Sequence, residues 1–153
     1  MSKIDAKLQE LGYSLLEMPP SKGLFKRCLT VGNLLYVSGH VSIANDGTPI
    51  QGKIGADLSL EEGKAAARQC ALGIISSVKE HIGDLDKVKQ LVKLLVLVNC
   101  PTDYTQHPIV ANGCSELFAE VFGTEAGIGT RSAFGAGSLP NNVAVEVEAV
   151  FEL

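Results

Sequence analysis

The sequence predicts an α+β fold, a two-layer domain in which a mixed sheet carries two main helices on one face, with a short helix added at the N-terminus. Three observations carry this. Ser59 and Glu62 form a capping box in front of Ala67, Ala71, Ile74, Val78 and Ile82, which recur at the period of one buried helical face. Val110, Cys114, Leu117, Phe118 and Val121 repeat that period between Pro108 and Gly123, a proline at the first turn and a glycine past the end. Around these two runs lie segments of strand length, rich in Val and Leu or strictly alternating.

Taken in order, residues 3–12 read as a short amphipathic helix with Ile4, Leu8 and Leu11 on one stripe and Gly12 as its stop. Residues 24–31 (LFKRCLTV) read as a strand, Gly32-Asn33 as a turn, and residues 33–39 (NLLYVSG) as a second strand. Asp46-Gly47 marks a hairpin. The long helix runs from Ser59 to Gly83. Residues 89–98 (KQLVKLLVLV) are too rich in Val and Leu for a surface helix and read as a central strand closed by Pro101. The second helix covers about 108–122. Two strands, about 130–138 and 143–153, follow, joined at Pro140-Asn141-Asn142. In the last, Val143, Val145, Val147, Ala149, Phe151 and Leu153 share the face that packs on the helices, and Ala144, Glu146, Glu148, Val150 and Glu152 share the other.

A length of 153 residues suits one domain, 1–153, in which 1–22 form an N-terminal extension. Hydrophobic residues make up 46% and mean hydropathy is +0.21, apolar for a chain of this size, so self-association is expected from composition. A net charge of −4 argues against a broad nucleic-acid surface, which needs a basic stripe to release counterions. Lys87, Lys89 and Lys93 come nearest and read as a solvated helix end and strand edge. No run approaches the roughly 18 apolar residues of a membrane span, and none resembles a signal peptide. Cys28, Cys70, Cys100 and Cys114 have neither zinc-site nor disulfide-scaffold spacing, which fits reduced thiols in a cytoplasmic protein.

Most catalytic motifs fail. Gly127-Ile128-Gly129 starts like a phosphate loop but has Ser132 at the third glycine position and enters a strand. Ser38 and His40 stand two apart on a strand, yet a dyad there has no evident orienting acid. His40, His81 and His107 have no metal-ligand spacing, so no metal is expected. What remains is Arg131, alone among Gly129, Thr130, Ser132 and Ala133, with room beside a guanidinium whose fork suits a carboxylate, and the acids Glu146 and Glu148. If the last two strands pair, Glu146 lies opposite residue 136, roughly five residues or about 17 Å from Arg131 at strand rise. On that register the two can share a ligand only across a subunit interface, unless a bulge at Gly135 or Gly137 alters it.

Two stretches then carry a family resemblance. TRSAFGAGSLPNNVAVEVE (130–148) resembles the YjgF/RidA signature of Arg-Ser, a small-residue run, Leu-Pro and a strand ending in Glu-x-Glu. GNLLYVSGHVS (32–42) resembles that family's Gly-Asn turn and Ser-Gly strand, and Asn112 falls where it has a pocket asparagine. The resemblance covers about residues 23–153. It implies a chorismate-mutase-like fold, a homotrimer with clefts between subunits, and hydrolysis of enamines and imines such as 2-aminoacrylate to 2-keto acids and ammonia without metal or organic cofactor. It further implies that Arg131 holds the substrate carboxylate and Glu146 positions or deprotonates water. Phe25, Ser38, Gly39, Asn112 and the backbone of Ala133 would line the cleft. Departures mark a divergent subgroup: Phe25 replaces a frequent tyrosine, Ala133 a frequent cysteine, and Gly129 a usual proline. The N-terminal helix and the segment Pro101–Pro108 are additions. Two alternatives stand beside the deaminase: a trimer that binds small carboxylates without turnover, and a ribonuclease or translation inhibitor.

Overall fold

The computed structural model describes all 153 residues. Helix α1 (Lys3–Glu10) opens the chain, capped by Ser2, whose hydroxyl accepts from the Asp5 N–H while the Asp5 carboxylate accepts from the Ser2 N–H. It is tied down by Lys79, 2.8 Å from Asp5, and by the Lys3 and Ile4 N–H groups, which donate to the Asp86 carboxylate. Strands β1 (Cys28–Val31) and β2 (Leu34–Val41) form a hairpin around Gly32. β1 is shorter than expected, because residues 24–27 leave the ladder. The Asp46-Gly47 turn closes only an isolated bridge, Ile43 to Pro49. Helix α2 (Leu60–Ile82) has the expected capping box, and Gly83 follows it. Strand β3 (Gln90–Asn99), helix α3 (His107–Phe122), strand β4 (Thr130–Ala136) and strand β5 (Val145–Glu152) complete the chain. α3 begins at His107, one residue ahead of the expected start.

The sheet order is β1-β2-β5-β3-β4. The last strand therefore enters the middle of the sheet, antiparallel to β2 and β3, and β4 runs parallel to β3 at the edge. This corrects the expected pairing of the last two strands, since β3 lies between them. The physical reason is the crossover: α3 returns the chain to begin β4 at the same end as β3, which dictates parallel pairing.

Burial alternates as the sequence pattern requires. Val145, Val147, Ala149 and Phe151 of β5 are buried, as are Leu94, Val96 and Val98 of β3 and Leu35 and Val37 of β2. They face α2 and α3, where Phe118 and Phe151 meet edge-on at 5.8 Å between ring centroids. The opposite face carries no helix. Leu29, Val31, Tyr36 and Phe134 stand exposed there, with Leu95, Leu97 and Val150 half-buried among them.

The two helices pack backbone to backbone at Gly113, where an added Cβ would lie 2.0 Å from the Lys64 carbonyl oxygen. Gly113→Ala is expected to force α2 and α3 apart and cost about 3 kcal/mol, read from the midpoint of a urea titration followed by circular dichroism. An unchanged midpoint would mean that the helix interface is not held at that spacing.

Candidate functional site

Arg131 stands on β4 opposite Leu94 of β3 and shares the helix-facing side. Its Nη1 donates to Asn112 Oδ1 at 2.9 Å and to Ser115 Oγ at 3.1 Å. Asn112 and Ser115 are three residues apart on α3 and so present one face to the guanidinium. No carboxylate of the chain pairs with Arg131, since the nearby Glu116 is taken by Lys64 and Arg68. Nε and Nη2 keep free donors toward an indentation of 310 Å³ lined by Leu91, Asn112, Ser115, Ile128 and Arg131. Ser115 is a member of this group that the sequence reading did not assign, although its spacing from Asn112 carries the signal.

Glu146 lies on the other, helix-free face. It pairs with Val41 of β2 and Leu97 of β3. Leu94 and Leu97, the β3 partners of Arg131 and Glu146, are three residues apart, or about 10 Å at strand rise. The two side chains also leave opposite faces, two strands apart. β4 keeps unbroken register with β3 through Gly135, and a bulge lies instead at Ser38-Gly39, where two residues of β2 oppose Glu148 alone. The bulge makes room for the acid: a Cβ on Gly39 would lie 3.0 Å from Glu146 Oε1 and Cδ. Burial, followed by the neighbouring charge of Glu148, raises the Glu146 carboxyl above the usual range. No donor or cation of the chain reaches it.

His40 fixes the bulge from below. Its Nδ1–H donates to the Ser38 carbonyl at 2.7 Å, and Nε2 accepts from Ser77 Oγ at 2.7 Å. Burial lowers its pKa and keeps the imidazole neutral. The Ser38 hydroxyl instead donates to the Lys26 carbonyl, so Ser38 and His40 form no nucleophilic dyad. The bulge is the reason, because it breaks the alternation that would have aligned the two side chains. Phe25 is 56% exposed beside Gly39, and Ala133 sits half-buried opposite Val96. The assigned residues thus fall into separate groups: Arg131 with Asn112 near the β4 edge, Glu146 with Gly39 at the β2 bulge, and Phe25 with Gly39 on the lining of a cavity that Glu146 does not reach. No three His, Cys, Asp or Glu side chains gather to hold a metal ion. No helix is long and apolar enough to cross a membrane, and all four cysteines are free and buried.

A family model described as "YjgF/chorismate_mutase-like, putative endoribonuclease" matches residues 5–153. The chain belongs to this family. A curated relative, Protein TCP17 of Trypanosoma cruzi, is 41% identical over 99% of this chain and 94% of its own length. Among solved structures, Atu1372 from Agrobacterium tumefaciens, of unknown function, is 34% identical over 98% of this chain and 93% of its own, with a TM-score of 0.87. A "putative endoribonuclease" from Shewanella oneidensis is 30% identical over 98% and 99%, with a TM-score of 0.92. The YjgF gene product of E. coli is 26% identical over 88% and 91%, with a TM-score of 0.59. The fold is that of YjgF and chorismate mutase, and this chain superposes far better on the first two structures than on E. coli YjgF.

The raised Glu146 pKa yields a signed expectation. A carboxyl whose folded pKa lies above its unfolded value contributes stability that is full at low pH and lost as pH rises through the folded pKa. Glu146→Gln should therefore raise the melting temperature at pH 7, with the gain shrinking toward pH 4. A gain independent of pH, or a loss, would show that the carboxylate is not held in a desolvating setting.

Proposed function

We propose that the chain forms a homotrimer and hydrolyses reactive enamines and imines of the 2-aminoacrylate type to 2-keto acids and ammonia, at clefts built between subunits. One observation carries this reading. Arg131 and Glu146 are both without a charged partner in their own chain, yet they leave opposite faces of the sheet two strands apart. A second copy could supply to each what its own chain withholds. The bare apolar sheet face, with Leu29, Val31, Tyr36 and Phe134 exposed, supports such an assembly. So does the β4 edge, whose outer hydrogen-bonding groups have no strand partner.

The chemistry needs little more than orientation, because an imine carbon is already electrophilic. The substrate carboxylate takes the free donors of Arg131, whose guanidinium Asn112 and Ser115 hold in place. An enamine first becomes the imine by gaining a proton at its terminal carbon and losing one from its nitrogen. Glu146 accepts a proton from water as the oxygen adds to the imine carbon, and the proton passes on to the nitrogen. The hydroxyl proton then moves to the nitrogen as well, the C–N bond breaks, and ammonia leaves as the carbonyl forms. A carboxylate above the usual range is the better base for this transfer. The Ser38-Gly39 bulge brings backbone within reach of the same carboxylate. The family description also carries an endoribonuclease label, but a net charge of −4 without a basic stripe counts against RNA as substrate.

A coupled assay tests the proposal. A pyridoxal-phosphate-dependent dehydratase releases 2-aminoacrylate from serine, and keto-acid formation is timed with and without this protein. Acceleration is expected. Arg131→Ala should lower kcat/KM by about two decades, near 3 kcal/mol, the scale of a desolvated charge-assisted contact. Glu146→Gln should lose turnover while still binding pyruvate. Wild-type rates in both variants would remove these residues from the chemistry. Pyruvate binding without any acceleration would favour the reading as a carboxylate-binding trimer, to which Phe25, lacking the phenolic hydroxyl, lends support.

A further inference from the structure

A cavity of 670 Å³ has Gly39 and Phe25 on its lining. One wall is an extended strap of the N-terminal extension, Leu16 to Pro20, with Leu16, Met18, Pro19 and Pro20 presented to the cavity. The strap is pinned at both ends. The Leu16 N–H donates to Ser76 Oγ at 2.8 Å, and the Arg27 guanidinium donates to the Pro19 carbonyl. The far wall is the loop from Ile43 to Gly47, held by Gln69 Nε2, which donates to the Ile43 carbonyl and to Asn45 Oδ1. Both walls are thus built and braced around a space that no side chain of the protein fills.

The floor supplies a second and independent observation. Gly73 lies buried in the middle of α2, where glycine costs roughly 1 kcal/mol against alanine in helix propensity. At Gly113 packing explains the glycine. At Gly73 it does not: an added Cβ would meet only His40 Cδ2 at 3.5 Å and Leu16 Cδ1 at 4.0 Å, both ordinary contacts. A missing side chain that the neighbouring atoms do not require, opening on a braced cavity, is space kept for something else.

We infer that this cavity receives the side chain of the substrate, and that the site prefers 2-imino and 2-oxo acids with an apolar side chain of about four carbons or more over the three-carbon compounds. The inference rests on the deaminase reading for the position of the reacting carbon, and Gly39, which lines the cavity and packs against the Glu146 carboxyl, joins the two. Leu16, Met18, the strap prolines, Phe25 and Ile43 match an aliphatic occupant, while Glu17, Arg27 and Asp46 add charged groups to the same lining. A phenylalanine at 25 extends that apolar wall where a tyrosine would have brought a hydroxyl in need of a partner.

The test measures binding of 4-methyl-2-oxopentanoate and pyruvate to the full-length protein by calorimetry, in wild type, Gly73→Leu and Gly73→Ala. Wild type should bind the branched acid at least about tenfold tighter, since each buried methylene strengthens binding severalfold. Gly73→Leu, which fills the floor, should bring the two affinities within about twofold. Gly73→Ala, whose methyl the structure accommodates, should keep most of the preference and reports that the helix tolerates substitution. Should Gly73→Leu not fold, Met18→Trp fills the same space from the strap. Equal affinity of wild type for the two acids, absence of binding by either, or a preference that survives the filled cavity in a folded variant would overturn the inference. A tenfold preference without turnover of any imine would keep the pocket and defeat the deaminase reading. Turnover of 2-aminoacrylate without a preference would do the reverse.

Discussion

Strand β5 hydrogen-bonds to β2 on one side and to β3 on the other, so the last segment of the chain closes the sheet on which both long helices rest. Until it enters, β1-β2 and β3-β4 are two separate ribbons, and the apolar faces of α2 and α3 have no continuous surface to cover. Long-range closure of this kind is entropically demanding and ties every element to a single event. It also dictates the composition of the strand. Residues Val145, Val147, Ala149 and Phe151 must be apolar because they form the middle of the core, and all are at most 3% exposed. The alternate positions are released from that demand, and one of them carries Glu146.

The same constraint explains which parts of the architecture could be read in advance. Capping at Ser59, the two helical stripes and the alternation along residues 143–153 are local patterns, and each appears where the residues dictate. Strand pairing is not local. Pro140-Asn141-Asn142 has the chemistry of a turn, and Asn141 and Asn142 do adopt positive φ, at 53° and 54°. Yet the turn delivers the chain to β2 and β3 instead of folding it back on β4. Nothing in the turn residues encodes that difference, which follows from α3 carrying β4 to the sheet edge. The expected separation of Arg131 and Glu146 nevertheless survives the change of register, because the opposite faces that they occupy follow from parity along each strand.

The site was legible to a similar degree. Arg131 and Glu146 could be singled out because charged residues stand out in apolar strands, whereas Asn112 and Gly39 entered through the family resemblance. Their relation to one another could not. The Ser38-Gly39 bulge has no strong sequence signal, yet it separates the Ser38 and His40 side chains and opens the space for the Glu146 carboxylate. His40, for which the sequence offered no orienting acid, is a brace between a strand carbonyl and Ser77 of α2. The strap at residues 16–20 has neither helical nor strand periodicity, so only its attachments to Ser76 and Arg27 reveal it as a wall.

Charge compensation within the chain is uneven in an informative way. Asp5 is matched by Lys79, Glu116 by Lys64 and Arg68, and Asp86 by two helix N–H groups, all at positions that hold the fold together. Glu146 is half-buried with no opposite charge in reach, and Arg131, exposed at the β4 edge, meets only the neutral Asn112 and Ser115. A protein gains nothing in stability from a carboxylate pressed against a backbone bulge, and Glu148 two residues away makes its ionisation costlier still. A substrate with a carboxylate at one end and an imine carbon at the other would meet both groups, provided that a neighbouring subunit brings them together. The exposed Leu29, Val31, Tyr36 and Phe134 stand on the same sheet face as Glu146, so the apolar surface that a second copy would cover is the one on which the unpaired acid stands.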